Sequence, residues 1–268
     1  VDVFAESLYA GNQLAVVEEC AHLDGNAMQD IAREMNFSET TFVISRTAER
    51  ARVRIFTPAS ELPFAGHPTL GTAWVLAGGE GTFILDLDVG AVDVRFSDGL
   101  GWISPPAVTL KGTFASDAAA ALIGLETKEL DEGFPIRFAE VGPKFVLIGL
   151  KTLGALKAAK VNEVLYDKYL DEGFDVQCVF VFTSDSYSDD ADFAARMFFR
   201  SPELREDPAT GSANSAFAAY LKDLRGGEFQ VVVDQGVEMK RPSRLYLKIA
   251  ESIEVGGRVQ EVLRGELT

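Results

Sequence analysis

With 268 residues and 47% hydrophobic content, the chain is long enough to form one large domain or two ordinary ones around a real core. Its 41 acidic and 25 basic residues give a formal net charge of -16, which excludes the phosphate-neutralising surface that nucleic acid requires. No apolar run approaches the roughly 20 residues of a membrane span, and Val1 opens without a basic leader segment, so a cytoplasmic protein with no membrane partner is expected.

In chain order, "VDVFA", "QLAVV", "TTFVI" and "RVRIF" read as strands from their β-branched and aromatic content. Between the second and third, "DGNAMQDIAREMN" reads as a helix. Asp24 or Asn26 is its N-cap, Met28, Ile31, Ala32 and Met35 are its apolar positions, and Asn36 is its stop. Ser38 and Glu39 therefore fall on the connection into a strand. The run "GHPTLGTAWVLAGG" reads as a helix ended by Gly78 and Gly79. "GTFILDLD", "AVDVRFSD" and "GLGWISPP" then suggest an antiparallel meander with a break at Pro105-Pro106. Two or three helical patterns are visible in all. "VFVF" at Val179 to Phe182 and "FQVVVDQG" read as core strands. Cys20 and Cys178 lack CxxC spacing and are expected to be buried thiols. Cys20 and His22 fall short of the three protein ligands of a catalytic zinc, so no metal is expected.

An internal repeat organises these pieces. "HPTLGTA" at His67 matches "DPATGSA" at Asp207, aligning His67 with Asp207, Pro68 with Pro208 and Gly71 with Gly211. Upstream, "RIF" (Arg54 to Phe56) and Glu61-Leu62 match "RMF" (Arg196 to Phe198) and Glu203-Leu204, and an apolar helix follows each copy. Two similar α+β halves are inferred, each with one buried central helix and with a boundary between about Pro106 and Leu130. Residues 1–115 form the first half and 116–268 the second, with a C-terminal strand free to return to the first.

Such halves place two helix N-termini at a shared cleft, where unpaired N–H groups suit a carboxylate or an enolate-like anion. The titratable groups at hand are Glu39, His67, Glu206 and Asp207. Each also has a plain reading: His67 as a turn or capping residue, Asp207 as a helix cap, Glu39 as a solvated loop acid. Ser201 and Ser212 have no GxSxG around them, and Ser212 is better read as a helix N-terminal hydroxyl.

Gly11-Asn12, "MQDIAREMNFSETTFV", "RIFTPASELPFAGHPTLGTA", "EDPATGSANSA", "QGVEMKRPS" and "VGGRV" together resemble the PhzF-like (phenazine biosynthesis protein F) family over nearly the whole chain. The resemblance implies the diaminopimelate-epimerase-like fold: two pseudo-symmetric halves, each a curled, mostly antiparallel sheet around a central helix. It implies a homodimer needing neither metal nor organic cofactor. It assigns Glu39 as the general acid/base that moves a carbon-bound proton on a small carboxylate, with His67 and Asp207 assisting. Asn12, Ser38, Gly66, Thr210, Gly211 and Ser212 would bind the substrate. Related epimerases use two opposed cysteines; here Ala65 and Asp207-Pro208 stand at those places, so a single carboxylate carries the chemistry. A cofactor-independent isomerase is therefore expected. The alternative is a metabolite-binding or regulatory homologue that keeps the cleft without dedicated catalysis.

Overall fold

The computed structural model describes residues 1–173, 177–200 and 203–267, and Ser201 lies outside them. The chain divides into two compact units, one built from Val1–Ser104 with the segment from Glu254, the other from Pro105–Ile253. No helix among the described residues is long and apolar enough to cross a membrane.

The first unit runs β1 (Asp2–Val3), β2 (Asn12–Val17), α1 (Gly25–Met35), β3 (Glu39–Arg46), β4 (Arg50–Phe56), β5 (Glu61–Leu62), α2 (Gly66–Ala77), β6 (Thr82–Leu87), β7 (Gly90–Ser97) and β8 (Leu100–Ile103). The "VDVFA" strand is shorter than expected because Phe4 turns to a left-handed φ of 59°. Helix α1 matches its sequence signals: the Asp24 side chain accepts from Ala27 N–H, and Asn36 ends it in the left-handed region. Strands β2 and β3 pair in parallel across this helix, β4 and β6 pair in parallel across α2, and the other pairings are antiparallel.

Helix α2 has no polar face. His67, Leu70, Gly71, Thr72, Ala73 and Leu76 are all buried, so it belongs inside a sheet rather than on one. At Gly71 it passes close to the strands. A Cβ there would stand 2.6 Å from Val3 and 2.7 Å from Leu14.

The second unit repeats the plan. It contains β9 (Thr109–Thr113), α3 (Ser116–Leu122), β10 (Arg137–Glu140), β11 (Lys144–Leu150), α4 (Leu153–Ala158), α5 (Glu163–Asp171), β12 (Cys178–Thr183), β13 (Phe193–Arg200), β14 (Leu204–Asp207), α6 (Gly211–Arg225), β15 (Phe229–Gln235) and β16 (Ser243–Ile249). Strands β11 and β12 are parallel, as are β13 and β15, matching the two parallel pairs of the first unit. Helix α6 is packed by Phe180, Phe182 and Phe193 around Phe217, with Phe193 edge-on at 5.0 Å. Six α-helices occur among the described residues, more than the two or three patterns seen in the sequence. The additions, α3 to α5, are each nine residues or shorter.

The chain then returns to the first unit as β17 (Ile253–Gly257) and β18 (Val259–Gln260). β17 pairs with β8 and β18 with β1, so the tail joins the two ends of the first unit's sheet through Arg258 and closes it around α2. Each unit is thus a curled, mostly antiparallel sheet holding one buried helix, the α+β architecture expected.

A matching ion pair marks both units. Arg54 on β4 holds Glu61 through two bonds of 2.6 and 2.7 Å and lies over the Phe56 ring. Arg196 on β13 does the same with Glu206, at 2.8 Å twice, over Phe198. Glu61 faces Phe56 across its hairpin and Glu206 faces Phe198. The partner of Glu61 in the repeat is therefore Glu206, not Glu203 as the sequence alignment has it; the second hairpin is longer.

Candidate active site

Glu39 is the first residue of β3, in register with Leu14 of parallel β2. Gly11 makes this possible one turn earlier. Its φ is 69°, and a Cβ would stand 2.3 Å from the Val3 carbonyl, so the chain bends sharply into β2 and delivers Asn12 at the strand's start.

His67 is the second residue of α2, whose N-cap, Ala65, offers no side chain to the helix. The helix begins at Gly66, before the histidine and not after it, so His67 is neither a turn nor a cap residue. Its ring is 7% exposed, and Nε2 stands 3.4 Å from Oε2 of Glu39, whose side chain is 16% exposed. Nδ1 stands 3.4 Å from Nδ2 of Asn12, itself 1% exposed. Burial holds the His67 pKa down at about 3, and a hydrogen bond with the Gln13 main chain works the other way. The imidazole is thus uncharged at neutral pH. Glu39 faces a polar ring and not a cation.

In the second unit Asp207 ends β14. Thr210 is the N-cap of α6, and its hydroxyl donates to Oδ2 of Asp207 instead of capping the helix. Asp207 is therefore not the cap. The repeat that aligns it with His67 also breaks here, since Gly71 lies inside α2 while its match Gly211 opens α6.

The turn is held by a residue that sequence reasoning filed with the core. Gln235, fully buried at the end of β15, donates to the Asp207 carbonyl at 2.8 Å and to the Thr210 hydroxyl at 3.1 Å. Its oxygen accepts from Asn214 at 3.0 Å. Gly236 follows with a φ of 76°, and a Cβ there would lie 2.5 Å from the Pro208 carbonyl.

Both central helices thus begin without a side-chain cap, at Gly66 and at Gly211. Their first N–H groups and dipoles suit an anion. Ser212 is the second residue of α6 and half-buried, and Ser38 is a half-buried neighbour of Glu39. Neither thiol belongs to these sets. Cys20 is packed with Met28, Phe42 and Phe56, and burial pushes the Cys178 thiol up to about 12.

The family model described as phenazine biosynthesis-like protein matches residues 1–265. The chain belongs to the phenazine biosynthesis-like family. Within it, an uncharacterized isomerase of Mesorhizobium japonicum is 34% identical, covering 99% of this chain and 96% of that protein. The trans-2,3-dihydro-3-hydroxyanthranilate isomerase of Pseudomonas aeruginosa is also 34% identical, over 98% of this chain and 92% of its own. Among solved structures, the PhzF-family phenazine biosynthesis protein of Bacillus anthracis superposes with a TM-score of 0.87 at 24% identity, covering 96% and 93% of the two chains. This phenazine biosynthesis-like protein is an isomerase on an epimerase fold.

Proposed function

We propose that the enzyme moves a carbon-bound proton on a small carboxylate, with Glu39 as the general acid/base and no cofactor. The observation that carries this reading is the half-buried Glu39 beside the buried, uncharged His67 ring. A half-buried carboxylate beside an uncharged ring, with no cation paired to it by that ring, is placed to accept a proton.

In this reading Glu39 takes a proton from a carbon made acidic by an adjacent unsaturated or carboxylate group. The electron pair left behind spreads into that group as a delocalised anion, and protonated Glu39 returns the proton at another carbon or face. No atom is gained or lost. Helix N–H groups at Gly66, and at Gly211 and Ser212, bind carboxylate or stabilise the anion. Asp207, its Oδ2 engaged by Thr210, contributes a second acid group, and Ser38 binds beside Glu39. The relative named for trans-2,3-dihydro-3-hydroxyanthranilate makes that amino carboxylate the first compound to try.

Deuterium uptake from heavy water into a panel of small unsaturated and amino carboxylates tests the proposal. The wild type labels a carbon position, and Glu39→Gln loses at least about a hundredfold of that rate while still folding. Undiminished labelling by Glu39→Gln would remove Glu39 from the role.

A further inference from the structure

We propose that Gln235 is a positioning residue that acts on Asp207 through Thr210: it aims the Thr210 hydroxyl at Oδ2 of Asp207 and so holds that carboxyl group in place as a standing hydrogen-bond acceptor. The inference rests on Asp207 as a group of the isomerase site and goes beyond it, to what fixes Asp207 and to which of the two acids moves the proton.

The direction of every bond in this relay follows from groups that have no choice. The Asp207 carbonyl can only accept, and it meets the Gln235 amide at 2.8 Å. The Thr210 main-chain N–H can only donate, and it meets the same amide at 3.4 Å. Gln235 therefore turns Nε2 to the first and Oε1 to the second; a flipped amide would set carbonyl against carbonyl. In that orientation Nε2 also donates to the Thr210 hydroxyl at 3.1 Å. A hydroxyl has one proton, and Thr210 must direct it away from the incoming N–H, toward Oδ2 of Asp207. Asn214 locks the far end, its Nδ2 donating to the Thr210 carbonyl and to Oε1 of Gln235, each at 3.0 Å. Gln235 and Asn214 are wholly buried and Asp207 and Thr210 nearly so, which keeps water from reordering these bonds. Strand pairing sets Gln235 on both sides, opposite Ala195 of β13 and Ser243 of β16.

The consequence falls on the division between the two acids. Oδ2 of Asp207 cannot take up a proton unless the Thr210 hydroxyl turns back against an N–H. It stays an acceptor through the reaction, which suits a group that holds still while Glu39 carries the proton. Thr210 is the N-cap of α6 yet gives the helix no side-chain bond, because its hydroxyl is engaged in this one.

Neutron diffraction from deuterium-exchanged crystals near pH 7 tests the relay without turnover. The Thr210 deuteron is expected between Oγ1 and Oδ2 of Asp207, with Oδ2 bare and two deuterons on the Gln235 atom that faces the Asp207 carbonyl. A deuteron on Oδ2, or a Thr210 O–D pointing elsewhere, overturns the proposal. The rate of substrate labelling in heavy water then tests the positioning. Thr210→Val, which removes the hydroxyl at nearly constant shape, and Gln235→Met are each expected to lose at least about tenfold in that rate, and Thr210→Ser to recover most of the loss. The double variant of Thr210→Val with Gln235→Met is expected to lose little more than Thr210→Val alone, since Gln235 works through the hydroxyl. Losses that multiply in the double variant, or a Thr210→Val enzyme as fast as wild type, also overturn it. Should Gln235→Met fail to fold, the two Thr210 variants and the neutron map decide. Because the map needs no substrate, a failure of the deuterium-uptake experiment and a failure here are read separately.

Discussion

His67 ties the enzyme's stability to acid. Unfolded, it binds a proton below about pH 6.5, whereas burial keeps it bare down to about 3 in the fold. Between those limits the unfolded chain holds more protons. Its contribution is therefore complete above pH 6.5 and is lost at up to about 1.4 kcal/mol for each pH unit as the pH falls toward 3. Urea midpoints of wild type and His67→Gln, followed from pH 7 to 4, should diverge at pH 7 and converge in acid; parallel curves would mean that the ring titrates as if exposed. At this scale the sequence was informative where polar residues break an apolar pattern. Glu39 at a strand start and His67 between Gly66 and Pro68 are such breaks. The uncharged state of the ring was not legible, because it depends on burial by strands distant in sequence.

Helix starts depend on partners that local patterns do not contain. The "GHP" and "DPATG" stretches read alike, yet the first is already helix and the second is a strand end and a turn. What makes the difference is Gln235, which satisfies the Asp207 carbonyl and the Thr210 hydroxyl so that the turn need not wind into helix. Gln235→Leu removes one hydrogen bond from each of those groups and from the Asn214 amide in a dry site. A loss of about 2–4 kcal/mol in urea unfolding is expected, together with reduced turnover; a change below about 0.5 kcal/mol would show that the turn holds itself. Gln235 looked like core because it closes an alternating apolar strand, and its only outward sign was the Gly236 after it. The short helices α4 and α5 did carry signals, since Thr152 and Asn162 accept from Ala155 and Leu165 as N-caps. Two turns of helix give too little periodicity to register against that background.

For the molecule as a whole, the repeat and the apolar central helices were sufficient to reach the architecture, because a helix without a polar face has to be enclosed. How the first unit completes its enclosure was less visible, since "VGGRV" carries no mark of its partners. Gly256 is there for a reason of space: a Cβ on it would lie 2.5 Å from the Trp102 ring and 2.8 Å from the Gly101 carbonyl. Gly256→Val is expected to cost more than about 2 kcal/mol and to raise hydrogen exchange in β1 and β8, the strands flanking the seam. Unchanged exchange there would show that the sheet holds without its closing strands. That seam also sets an order of events on the ribosome. The first 104 residues emerge without the strands that finish their sheet, while Pro105–Ile253 is contiguous and complete in itself. At ordinary synthesis rates the wait for Glu254 onward is about 7–30 seconds. The unit made first is thus the one finished last, and in the interval its open sheet edges are what a chaperone would meet.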